Sequence, residues 1–307
     1  MRNYSRYIGR IIVFGSLLAL SACKTPTTVS RIAPYSVTTV SLEAGLSPQD
    51  QARVSKNCIF GLPKLDPGGH FGPTDLIARE GYVLIHSATD KIPLFVCEHV
   101  TADHLAGHLS RDDKFQPDPL LKPGRRAELK DYARTGYDRG HQAPAGDQTT
   151  DATLKAETFY LSNMAPQVPM FNRQIWKQLE TLVRDWARER GEAFIITGAM
   201  FYDPKEESPV TATGIIQHKI IGADAVAVPT HFYKIVAARD AHGVLQTIAF
   251  VLENKSYPKP KKHNTYHFEN YIQTIDWIQK RTGLNFMPEL DPVEEKRLEK
   301  QPSPMWN

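Results

Sequence analysis

Tyr137-Asp138-Arg139-Gly140-His141-Gln142-Ala143-Pro144 places a carboxylate, a guanidinium and an imidazole within four residues of one another. Gly140 permits the tight backbone geometry that such crowding requires. Histidine is the side chain best able to take a proton near neutral pH, and arginine is the best match to a pair of phosphate oxygens. Those are the needs of phosphodiester hydrolysis. Standing alone, the stretch reads more readily as a surface turn around a satisfied histidine, so the residues that follow decide.

Tyr160-Leu161-Ser162-Asn163-Met164-Ala165-Pro166-Gln167 leads into Phe171-Asn172-Arg173-Gln174-Ile175-Trp176-Lys177-Gln178-Leu179-Glu180. Apolar Phe171, Ile175, Leu179, Leu182 and Trp186 recur at three- and four-residue spacing, and Gly191 stands as a stop, which predicts a helix over 170–190. The whole stretch 138–180 resembles the DNA/RNA non-specific endonuclease family. The resemblance continues through Pro229-Thr230-His231-Phe232-Tyr233-Lys234 and Ile275-Asp276-Trp277-Ile278 to Thr282-Gly283-Leu284, and so spans roughly 60–290.

The resemblance implies a ββα-metal nuclease fold, an α+β domain with an antiparallel sheet core flanked by helices. It implies that His141 is the general base, and that Asn172 is the one direct protein ligand to Mg²⁺, or to Mn²⁺ in its place. It also implies that Glu180 orients the metal's water and that Arg184 is a nearby substrate-binding residue. Arg139 belongs to the motif. Arg111, in Ser110-Arg111-Asp112-Asp113, resembles the upstream arginine that contacts the scissile phosphate. DNA and RNA are the implied substrates. A silent nucleic-acid-binding lipoprotein of the same fold, or a metal-dependent phosphodiesterase for small substrates, are the alternatives.

Helix geometry supports the pairing of Asn172 with Glu180. Eight residues at 100° each leave the two about 80° apart, within one quadrant. Glu180 and Arg184 are neighbours at four-residue spacing. The basic run Lys255, Lys259, Lys261, Lys262 is either a track for phosphates, with Lys259 and Lys261 as substrate contacts, or a solvated surface loop. No HExxH and no Cys/His zinc spacing occurs.

Outward from this centre, 81–87 and 92–100 read as a hairpin, and further short β-rich runs fall at 159–162, 193–197, 215–221, 225–228, 231–238 and 244–252. Many closely spaced strands argue for antiparallel sheet. A second helix is expected over 266–280, and 291–307 reads as a short helix followed by a frayed tail. The resulting division is 1–22 leader, 23–55 tether, 56–290 catalytic domain and 291–307 tail.

The chain has 307 residues, enough for one large domain. Its 41% hydrophobic and 23% charged composition excludes a disordered, collagenous or multi-spanning protein. Arg2, Arg6 and Arg10 precede an apolar run over 11–22 that is too short to span a bilayer, which is the shape of a signal peptide. Leu20-Ser21-Ala22-Cys23 resembles the lipobox of bacterial lipoproteins, which implies acylation of Cys23, membrane anchoring and residence in the cell envelope outside the cytoplasm. Loss of 1–22 removes three arginines and no acid, so the net charge of +3 belongs to the leader. Any field that attracts nucleic acid must therefore be local. In an oxidising compartment Cys58 and Cys97 are expected to form a disulfide, with two buried thiols as the alternative.

Overall fold

A computed structural model describes residues 27–32, 45–66, 71–110, 114–204, 215–261 and 265–306. Cys23 and the leader lie outside them, as do Arg111 and Lys262. The centre is a seven-stranded sheet in the order Ile272–Gln273, Leu245–Glu253, His231–Arg239, Glu192–Met200, Ile92–Thr101, Val83–Ser87, Thr74–Ala78. Every neighbouring pair is antiparallel. Sequence and sheet agree closely here because the strands alternate: Phe232, Val236 and Ala238 enter one apolar cluster, and Tyr233, Ile235 and Ala237 the other.

Each face is covered by helix. On one side lies the helix Lys177–Arg190, which buries Leu179, Val183, Trp186 and Ala187 against Ile195, Phe232 and Val236. On the other lie Pro48–Asn57, Ile275–Thr282 and Pro292–Lys300, through Val54, Ile275, Ile278 and Leu298. Burying one such side chain contributes roughly 1.5–3 kcal/mol, so both clusters are needed to hold a sheet this wide.

Several expectations are corrected by tertiary context. The expected tether already contains structure: Thr27–Ile32 pairs with Ile215–Ile221, and Ser47 caps the helix that starts at Pro48. The expected strand at 159–162 is a 3₁₀ turn, Leu161–Asn163. The expected helix at 266–280 is broken into a 3₁₀ turn Phe268–Tyr271, the edge strand Ile272–Gln273 and the helix Ile275–Thr282. Ile272 pairs with Phe250, and Thr274 then caps a new helix by accepting from the Trp277 N–H.

The frayed tail is also corrected. Trp306 is buried, packs 5.0 Å from the Trp186 ring and lies beneath the Arg190 guanidinium at 4.0 Å, so the C-terminus closes the cluster under the long helix. Cys58 and Cys97 are not bridged. Cys58 closes the C-terminus of Pro48–Asn57, Cys97 pairs with Val83 and Ile196 in mid-sheet, and each fills space in the same cluster as a small apolar side chain.

Candidate active site

Asp138–His141 forms a two-stranded antiparallel ribbon with Met164–Gln167, outside the main sheet. Gly140 is needed here for reasons other than backbone conformation. A Cβ at this position would meet the buried Gln167 side chain at 2.1 Å, so the ribbon closes only around glycine. Beyond His141 the chain is pinned by Asn163, whose amide accepts from the Ala143 N–H and donates to the Ala143 and Thr158 carbonyls. Asn254 ties the ribbon to the main sheet through the Val168 N–H and the Pro166 and Pro229 carbonyls.

His141 is 8% exposed and stands edge-on against Phe159, at 4.9 Å and 89°, with Phe115 5.7 Å away. Arg139 lies 4.9 Å over Phe115 and 5.9 Å over Tyr132. The aromatic rings thus fix both motif side chains without neutralising the guanidinium. Asp138 holds two neighbours in place. Its carboxylate accepts from the Asn172 amide at 3.0 Å and from two Arg173 nitrogens at 2.8 and 2.6 Å. With its NH₂ donating to Asp138, Asn172 keeps its amide oxygen for a ligand.

Phe171–Trp176, which carries Asn172, is wound as a π-helix, and Lys177–Arg190 continues from it as α-helix. The 100° step used to relate Asn172 to Glu180 therefore fails across the first turn. Both residues nonetheless line the same cleft, of about 740 Å³, together with Arg139, His141, Lys155, Arg173, Lys177 and Arg184. Lys259 and Lys261 are exposed and are not among its lining residues.

Beneath the cleft is a charged layer that periodicity does not reveal. The Arg184 guanidinium donates to Asp147 at 2.8 Å; burial works against its charge, and Asp147 and Glu180 more than restore it. Lys234, 1% exposed, donates to the Thr197 hydroxyl and lies 5.4 Å from the Trp176 ring. Glu98, 1% exposed, has its carboxyl pushed well above the usual range by burial first and by Asp147 next. Among the described residues no three or more His, Cys, Asp or Glu side chains form a metal cage. The Asn172 amide oxygen and the Glu180 carboxylate are hard oxygen donors in one cleft, a set that suits a hard cation keeping most of its waters.

A histidine, an arginine and oxygen-donor side chains, set where a β-ribbon meets a helix, are the arrangement of the ββα-metal nuclease fold. The family model for DNA/RNA non-specific endonuclease matches residues 69–292. The mitochondrial nuclease of Saccharomyces cerevisiae is 34% identical over 77% of this chain and 74% of its own. Human mitochondrial endonuclease G is 31% identical over 75% and 73%. The solved complex of EndoG with EndoGI matches with a TM-score of 0.67 and 30% identity, over 81% of this chain and 94% of that one. The chain belongs to the DNA/RNA non-specific endonuclease family, and it is a hydrolase of phosphodiester bonds.

Proposed function

We propose that the cleft hydrolyses phosphodiester bonds of DNA and RNA with His141 as general base, and with Asn172 and Glu180 serving one Mg²⁺, for which Mn²⁺ can substitute. The observation that carries this reading is the convergence of His141, Arg139, Asn172 and Glu180 on one cleft from a ribbon and a helix. When bound, the cation supplies charge neutralisation at the phosphate oxygens. His141 takes the proton of the attacking water. Arg139, seated on the Phe115 and Tyr132 rings and with no carboxylate partner among the described residues, offsets the charge that develops on phosphorus. Asp138 orients the Asn172 amide, and Glu180 accepts hydrogen bonds from water. Recognition through phosphates gives little sequence preference.

The purified chain is expected to cleave plasmid DNA and RNA, to stop on addition of EDTA and to recover when Mg²⁺ or Mn²⁺ is restored. Undiminished cleavage under chelation would overturn the metal role.

We also propose that Cys23 anchors the protein in the cell envelope, outside the cytoplasm. The support is the basic, apolar and small-residue order of 1–23. Several acyl chains on one cysteine hold a protein in a bilayer, whereas one chain binds only marginally. Full-length protein is expected to enter the detergent phase on cloud-point partition, and Cys23→Ala to move to the aqueous phase. Equal partition of the two would refute the anchor.

A further inference from the structure

Among the described residues the nuclease cleft carries five cationic side chains besides His141, and they differ in how they are compensated. Arg173 is held by both oxygens of Asp138, and Arg184 by Asp147. Lys155 is buried and donates to the Leu109 carbonyl at 2.6 Å. Arg139 is seated on aromatic rings. Lys177 is exposed, and among the described residues its ammonium group makes none of these contacts.

We propose that Lys177 binds the phosphate next to the scissile one, a second phosphate subsite that fits the cleft to a polynucleotide rather than to a lone phosphodiester. This rests on the reading of the cleft as the nuclease site.

The local winding supports the assignment. Along the α-helix Lys177, Glu180 and Arg184 stand at i, i+3 and i+7, within about 60° of one another, so they form one stripe. Relative to Asn172, a continuous α-helix would turn Lys177 about 140° away. The π-wound turn Phe171–Trp176 breaks that relation, and Asn172, Arg173, Lys177, Glu180 and Arg184 all line the cleft. Such single turns of π-helix commonly mark functional sites. An exposed ammonium in the same cleft as His141 is well placed to hold a neighbouring backbone phosphate, which as a point charge it can do without strict geometry.

The test compares wild type, Lys177→Ala and Lys177→Arg on a long single-stranded polymer and on a dinucleoside monophosphate, between about 50 and 200 mM salt. Lys177→Ala should raise KM for the polymer roughly fivefold at low salt, with kcat unchanged. It should also make the dependence of log(kcat/KM) on log[salt] shallower by about 0.7. Lys177→Arg should keep both values near wild type, and the dinucleoside should be cleaved alike by all three. An unchanged polymer KM and salt slope in Lys177→Ala would overturn the subsite. So would an equal loss on the dinucleoside, which would place Lys177 at the scissile phosphate or in the fold. If wild type cleaves neither substrate, the nuclease reading fails. Binding of the polymer in EDTA then reads the subsite through the same salt slope.

Discussion

Replacing His141 with alanine is expected to lower kcat on DNA and RNA alike by about 10²–10⁴-fold, with KM close to wild type. The size follows from the role: a positioned base acts only as the proton leaves the attacking water, so its loss is felt in kcat and not in ground-state binding. The position of His141 makes the substitution readable. Its ring stands edge-on to Phe159 near the Phe115 wall, and its backbone is held by the ribbon and by Asn163 rather than by its own side chain. Truncation leaves a small hole at the cleft wall, into which added imidazole can diffuse. Partial recovery of kcat with imidazole, at an unchanged melting temperature, separates a lost base from a damaged fold. A variant that retains activity within an order of magnitude of wild type would assign the base elsewhere.

What could be read in advance divides along physical lines. The central strands of the main sheet were legible because both of their faces are buried and apolar, as in Ile92–Thr101 and His231–Arg239, whereas the half-buried edge strands Thr74–Ala78 and Ile272–Gln273 were not. The site residues Asp138, Arg139, His141, Asn172 and Glu180 were legible through the family resemblance of 138–180, since the short stretch around His141 alone reads more readily as a surface turn. The π-turn was not, since Phe171 and Ile175 four residues apart fit α- and π-winding equally. Lys177 therefore drew no assignment from the sequence.

The role of Gly140 was misread as conformational, because the Gln167 side chain that excludes a Cβ comes from the other strand of the ribbon. Glu98, Lys234 and Asp147 lie far apart in sequence, and the fold buries them near one another beneath the cleft. Trp306 follows two prolines with no periodicity of its own, and its seat is built by Trp186 and Arg190. Cys58 and Cys97 are an even pair in composition, but pairing depends on backbone approach, which spacing does not encode.

The second large effect is expected at Asp118, a residue outside the cleft. Its side chain is 0% exposed and accepts both bonds of the Arg79 guanidinium at 2.8 Å, the Ser162 hydroxyl and the Leu120 N–H. Arg79 in turn reaches Glu157 at 3.1 Å and lies 4.1 Å over the Tyr160 ring. This one carboxylate joins the end of the strand Thr74–Ala78, the segment that carries Phe115 and the turn Leu161–Asn163 that leads into the ribbon.

Desolvation offsets much of the attraction within such a pair, so its net contribution to stability is small, but removing one partner leaves a buried charge uncompensated. Asp118→Ala should therefore cost about 3–5 kcal/mol, a fall in melting temperature of roughly 10 °C for a chain of this size. The double variant Arg79→Met with Asp118→Leu should be less destabilised than Asp118→Ala alone, since the one charge that then loses a partner, Glu157, is partly exposed and can be solvated. At low temperature the single variant should keep most of its kcat, because Gln116 still bridges Tyr160 and holds Phe115 near His141 through backbone bonds. Melting curves for Arg79→Met, Asp118→Leu and the double variant close the cycle. A double variant that costs the sum of the two singles would mean that the pair is not a coupled unit.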